Sequence, residues 1–305
     1  MVVVNLSVDN MVKYEYYIHN CSLTVAEGED SVDHINRLIT SNIKTISNLE
    51  SIDTLVCNAN GRITDSLQIL RIEEQILLLG NEEAAENTRK LIVSGVHWNE
   101  DVRIMNGDGI LSKISIFASK DNLNRMFLEE EVNEEPNKWI NVGDKYLTKT
   151  NYGDNSKLDI VMKSDEIMNF VDEKMGADSC RINIEDWNRF RVLNGIMSFD
   201  EYKHDLLPSE LGLDKFVDLK KGCYPGQEIH ARLESRGKLK KKIKKFKSDN
   251  SIESGKHKSK LGRRINITTS LGRTGFFLTN NLEEETIEID NSSLEYEELD
   301  VIEIR

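Results

Sequence analysis

The sequence predicts an α+β protein. Apolar residues recur at helical spacing in some segments and alternate in others, and the two kinds of segment follow one another without regular βαβ alternation. No GxGxxG or Walker A motif marks a nucleotide-binding, doubly wound sheet.

The elements follow in order. From Ser31 the apolar positions Val32, Ile35, Ile39, Ile43 and Ile46 step by three and four behind a serine able to cap, which predicts one amphipathic helix. DTLVCN and RITDSLQIL flank the Asn60-Gly61 pair and predict two strands joined by a tight turn, with ILLLG as a third strand. A helix over 81–94, the strands DVRIM and ILSKISIF, and a helical stretch over 121–131 come next. LEEEVNEEPNK, acidic and carrying a proline, predicts an exposed connection. LDIVMK reads as a strand, and SDEIMNFVDEKMG and EDWNRFRVLNG as helices closing on glycine. Beyond residue 238 the short alternating runs KKIKKFK, RINITT, GFFLT, TIEID and VIEIR predict a β-rich end. The expected parts are therefore 1–140, 141–237 and 238–305. No internal repeat of fixed period points to a solenoid or propeller.

Composition narrows the function classes. With 38% hydrophobic and 30% charged residues among 305, the chain has the balance of a folded globular protein and not of a disordered one. The net charge of −13 opposes long-range attraction to nucleic acid or anionic lipid. The charge is uneven: RGKLKKKIKKFK is basic and the stretch 283–303 acidic, and the basic run is expected to be a solvated strand face. No window approaches the 18 apolar residues of a membrane span, and the first residues lack the pattern of a secretory signal, so a cytoplasmic location is expected. The four cysteines form no CxxC pair and the histidines no HExxH, so neither a disulfide framework nor a dedicated metal site is expected.

One stretch carries chemistry. In KGCYPGQE, Pro225 and Gly226 occupy the central positions of a type II turn, and QEIHARLESRG after it predicts a short helix stopped by Gly237. Glu228 and Arg232 form an acid-first i, i+4 pair, and Arg236 extends the same face. Cys223 is thus expected near a helix N-terminus and beside Lys220 and Lys221, surroundings that favour a thiolate over a thiol. The alternative is a small apolar residue packed in a turn.

KGCYPGQE followed by AR and RG resembles the signature of the YgfZ family of folate-binding proteins, with LPSELGLDKFVDLKKG and FRVLNGIMSFDEY similar to the segments preceding it. More weakly, the NGRITD hairpin and LLLGN strand resemble the folate-binding domain which that family shares with the aminomethyltransferases of glycine cleavage. The resemblance implies an aminomethyltransferase-like, three-part ring with a C-terminal β-barrel. It also implies tetrahydrofolate or a one-carbon derivative as cofactor, and a role in assembling or maintaining iron–sulfur proteins, whose clients or assembly factors would be its partners. It implies Cys223 as the reactive residue and Asp65, Arg191, Lys221, Tyr224, Gln227, Glu228, Arg232 and Arg236 as cofactor-binding residues.

Two alternatives stand beside it. A true aminomethyltransferase usually reads LRLEAG where this chain reads FRVLNG, with the glutamate directed at the pterin; Leu193 occupies that position and accepts no hydrogen bond. Asp65 keeps this reading open, because it shares a strand face with Ile63, Leu67 and Ile69 in a region where that family carries acids; the competing expectation is an aspartate facing solvent on an edge strand. The second alternative is nucleic-acid binding by the basic run, which carries only Phe246 for base stacking. Trp187 is expected in the core or lining a channel, His204 and His230 as hydrogen-bonded or solvated side chains, and Cys21, Cys57 and Cys180 as packed residues.

Overall fold

The computed structural model describes residues 13–126, 135, 137–152, 155–236, 239, 241–280, 286–289, 292–299 and 303–304. The chain divides into two compact units that interleave in sequence: residues 1–35, 43–52 and 67–187 form the first, and 36–42, 53–66 and 188–305 the second.

In the first unit, a six-stranded sheet runs in the order Ser179–Arg181, Tyr14–Ile18, Leu111–Ser119, Asn155–Lys163, Lys145–Tyr152, Ile140–Val142. Only its first pair is parallel. The period of two sorts its side chains onto two faces. Ile114, Ile116, Leu158, Ile160 and Met162 pack on Leu123 and Met126 of the helix Lys120–Met126 and on Ile167, Phe170 and Val171 of the helix Ile167–Lys174. The intervening residues Lys113, Ser115, Lys157 and Asp159 therefore share the opposite face. A five-stranded sheet contributes Cys21–Glu27, Gln75–Asn81 and Arg103–Asn106 to this unit, where Leu23, Leu70, Leu77, Leu79, Trp139 and Val161 make a second core.

Two further strands of that sheet, Ser51–Cys57 and Ile63–Ile72, form the predicted hairpin, and its tip, residues 53–66, belongs to the second unit. The second unit's C-terminal sheet is antiparallel and six-stranded, in the order Gly255–Lys258, Arg264–Ser270, Gly272–Thr279, Lys242–Ile252, Ser292–Glu298, Thr286–Ile289. A bridge between Ser259 and Ile289 joins its two edges, so the sheet curls on itself as a barrel does. Phe246, Ile252, Ile265, Ile267, Phe277, Ile287, Ile289 and Leu294 give it a core of its own, and on that ground 238–305 is kept as a proposed domain within the second unit.

The structure departs from sequence expectation in four places. The helix from Ser31 stops at Asn36, with only a 3-10 turn over Ile43–Thr45 beyond it. Backbone donors used elsewhere explain the break: the Thr40 amide donates to the Leu55 carbonyl at 3.0 Å, and the Ser41 amide donates to Thr54 Oγ1 at 2.9 Å. Both take the backbone off the helical ladder. The basic run is not a freely solvated face, because its strand pairs with the acidic one in the register Lys244↔Glu298 and Lys245↔Glu297. Lys242 and Lys244 contact Glu298, and Lys245 lies 3.6 Å from Glu297, so the charge of these three lysines is answered within the sheet, while Lys241 and Lys247 are exposed. Cys180 is exposed, not packed. The strands Tyr14–Ile18, Cys21–Glu27, Lys145–Tyr152 and Ser292–Glu298 are not among the predicted ones, although Cys21, Leu23 and Val25 alternate with Ser22 and Thr24. Most of the acidic connection LEEEVNEEPNK, the Gly237 helix stop and the Arg236 side chain lie outside the described residues.

Candidate functional site

The cysteine turn forms as its residues dictate. Gly226 has φ +84°, the value a type II turn demands of its third residue, and the Gln227 amide closes the turn on the Tyr224 carbonyl at 3.3 Å. The helix Gln227–Arg236 starts at once, with the His230 amide donating to the Gly226 carbonyl at 3.3 Å. Glu228 and Arg232 pair at 2.6 Å on its exposed face.

Three anchors within the second unit hold this turn. The first is glycine on glycine: a Cβ on Gly226 would fall 2.4 Å from the Gly61 Cα and 2.8 Å from the Asn58 carbonyl oxygen. The NG turn of the hairpin and the PG turn of the cysteine loop thus meet backbone to backbone, an approach that only residues lacking a Cβ allow. The second is His230, buried, whose Nε2 lies 2.8 Å from the Gly61 carbonyl. A carbonyl can only accept, so Nε2 carries the proton and Nδ1 accepts from the Tyr224 hydroxyl at 3.3 Å. Burial holds His230 below the ordinary histidine value and pushes the Tyr224 hydroxyl up. The third is Lys221, whose Nζ donates to the carbonyls of Asn36, Ile39 and Ser41 at 2.6, 2.9 and 2.6 Å. Its approach is reinforced by the Asp218 amide, which donates to the Thr40 carbonyl at 2.9 Å.

Against this fixed frame the Cys223 side chain is exposed. Its neighbours on both sides are committed, since Lys221 is clasped and Tyr224 is buried. Cys57 offers the contrast: it is buried, and burial pushes its thiol up to about 12. A solvent-exposed thiol on an anchored backbone can meet a reactant, whereas a buried one at that value stays protonated and packed.

The other residues expected at the site fall in several places. Asp65 is fully buried, which overturns the solvent-facing alternative; its Oδ1 accepts from the Ser66 amide at 2.8 Å. Arg191 is buried and spent on protein groups: Nη1 meets Glu201 at 2.8 Å, Nη2 meets Thr269 Oγ1 at 2.9 Å, and Nε meets Asn188 Oδ1 at 2.7 Å. Gln227 donates to the Leu219 and Lys221 carbonyls at 3.4 and 3.3 Å. Glu228 and Arg232 are exposed and paired with each other. Leu193 is half-buried. The turn, Lys221, Tyr224 and His230 are brought together; Arg191 belongs to a separate buried network.

Sequence reasoning missed a second polar centre, which lies in the first unit. Asp159, buried, sits 3.2 Å from Lys113 and 3.3 Å from Lys157, both also buried. Ser115 donates its proton to Asp159, so His19 Nε2, 2.7 Å from the Ser115 oxygen, is the donor to it. Lys113 also donates to Gln68 Oε1 at 3.2 Å. The His19 ring lies edge-on to Trp187, 4.8 Å between centroids, and Trp187 stacks on Tyr17 at 5.3 Å. A usable signal was the lysine inside ILSKISIF, which alternation places opposite the isoleucines. Among the described residues no group of His, Cys, Asp and Glu could hold a metal ion, and no helix is long and apolar enough to cross a membrane.

The fold is that of the aminomethyltransferases. The chain superposes on the glycine cleavage system aminomethyltransferase T from Bartonella henselae with a TM-score of 0.81, covering 95% of this chain and 86% of that one at 13% identity. Two curated relatives are also aminomethyltransferases. That of Alkaliphilus oremlandii is 20% identical over 281 residues, 88% of this chain and 76% of its own length. That of Thermotoga neapolitana is 27% identical over 104 residues, 33% of this chain and 29% of its own length. No family model matches the chain.

Proposed function

We propose that the protein binds a reduced folate and, through the Cys223 thiol, serves the assembly or maintenance of iron–sulfur proteins. The observation that carries this reading is the exposed Cys223 on a turn anchored at three points, within a chain that resembles the YgfZ signature in those same residues. The aminomethyltransferase fold supports the folate half. Asp65 carries a carboxylate, an acceptor of the kind a pterin's amino group needs, and because it is fully buried a bound pterin would have to open the packing over it. Bound tetrahydrofolate would supply a carrier for one-carbon units. Asp65 would hold its polar edge, and Leu193 would offer only apolar contact where the aminomethyltransferases usually have glutamate.

A second reading, transfer of an aminomethyl group in glycine cleavage, is favoured by the names of the relatives and by Asp65. Leu193 and the cysteine turn weigh against it. The two separate in one set of experiments. Calorimetry with 5-formyltetrahydrofolate is expected to show binding, and Cys223→Ala, but not Cys180→Ala, is expected to lose rescue of a strain deficient in this iron–sulfur function. No binding at millimolar folate removes the folate half, and full rescue by Cys223→Ala removes the thiol. Turnover of an aminomethylated lipoyl carrier protein would promote the second reading.

A further inference from the structure

We infer that Lys221 is a positioning residue, an ammonium clasp that fixes the loop presenting Cys223 by holding the backbone of segment 36–42. An ammonium has three protons, and Lys221 Nζ has three carbonyl oxygens at 2.6, 2.9 and 2.6 Å, from Asn36, Ile39 and Ser41. All three donors are spent on protein, which accounts for a lysine beside the cysteine without giving it a ligand to hold. The receptor is made by the helix break: Asn36 ends the helix Ser31–Asn36, and the carbonyls that a continuing helix would use in its own ladder converge on the cation instead. Each contact is charge-assisted and therefore stronger than a neutral hydrogen bond. The same Nζ lies 5.5 Å from the centroid of the Tyr224 ring, so the clasp also bears on the residue after the cysteine.

Arginine cannot substitute freely, because its planar fork suits a carboxylate and not three converging carbonyls. The two flanks of Cys223 are thus held by different means. Lys221 secures the approach, and the Gly61–Gly226 contact with His230 secures the exit. The inference rests on the proposed function only in taking Cys223 as the working group. Its test needs neither folate nor a client protein.

The test uses the full chain carrying Cys180→Ser, so that Cys223 is the exposed thiol followed. In Lys221→Met, amide hydrogen exchange over 222–227 is expected to speed up by about tenfold or more, with the strand Leu111–Ser119 unchanged, and the rate of Cys223 alkylation by iodoacetamide is expected to shift with it. In Lys221→Ala, added n-propylammonium, which replaces the missing stem and cation, is expected to restore the parent exchange pattern, and n-propanol is not. Parental exchange and alkylation in Lys221→Met would overturn the clasp, as would equal effects of propylammonium and propanol on the Lys221→Ala variant. Should Lys221→Met fail to fold, the melting temperature of Lys221→Ala in the two additives decides between the same outcomes. Full rescue of the deficient strain by Cys223→Ala would sink the functional reading and leave these measurements standing.

Discussion

The two polar centres are built in opposite ways. In the first unit, Lys113, Ser115, Lys157 and Asp159 come from two strands and Gln68 from a third, and their charges are buried and answered by one another. In the second unit, the cysteine turn is one contiguous stretch whose working side chain is exposed while its backbone is held. The first centre spends polar groups on one another inside the protein, and the second spends them on freeing a thiol for contact with solvent. Burial of charge is costly unless every partner is present, so the first should be brittle and the second tolerant at its surface.

Asp159→Asn breaks the comparison hardest. Asparagine keeps the shape but leaves two buried ammonium groups facing an uncharged amide, and a stability loss of roughly 3 kcal/mol or more is expected by urea denaturation. Alkylation of Cys223 in the folded protein should not change. A loss below about 1 kcal/mol would mean that the centre is wetter or better compensated than its burial implies.

Gly226→Ala probes the second centre where it is rigid. The substitution forces φ +84° on a residue with a Cβ and drives that atom to 2.4 Å from the Gly61 Cα. Strain and displacement together are expected to cost about 2–3 kcal/mol and to alter Cys223 reactivity, which Asp159→Asn does not. If the stability cost comes without a change in alkylation, the turn does not direct the thiol.

These contrasts also mark what was legible. The turn was readable because its determinants are neighbours: proline fixes one φ, glycine permits the next, and the following residues favour a helix. The hairpin was readable from Asn60-Gly61 between alternating runs. The aminomethyltransferase fold was legible only through resemblance, not through periodicity. The partners of the turn were not legible, since Asn36, Ile39 and Ser41 stand about 180 residues before Lys221 and contribute only carbonyls, which every residue has. The same apolar spacing that predicted a long helix from Ser31 is satisfied by a short helix, a bridge from Ile39 to Val56 and a 3-10 turn. Burying Ile35, Ile39 and Ile43 requires no continuous helix. The buried charges of the first unit arise from pairing between distant strands, and sequence alone does not give register.

His230 gives a smaller effect with a definite sign. Burial lowers its folded-state value below the ordinary 6.5, so as pH falls the unfolded chain takes up a proton before the folded one does. The contribution is fully present above 6.5 and is lost progressively below it, until the folded histidine also protonates. His204 shifts in the same direction, so the informative quantity is the difference between the parent and His230→Gln. Stability measured by urea at a pH about one unit above and about one unit below that value is expected to fall less in the variant. An equal fall in both proteins would assign the acid sensitivity elsewhere.

The smallest effect is expected at the most conspicuous charges of the motif. Glu228 and Arg232 meet at 2.6 Å with 80% and 69% of their side chains exposed. Water screens such a pair, and ordering two long side chains offsets much of the attraction. Arg232→Ala is therefore expected to change stability by about 0.5 kcal/mol or less. A fold held together by this pair would lose far more. If the variant keeps its melting temperature yet loses reduced-folate binding or the rescue that depends on Cys223, the arginine faces a ligand or a partner and not its own helix. Silence in all three assays would instead confine the working part of the motif to the clasped and buried residues around the thiol.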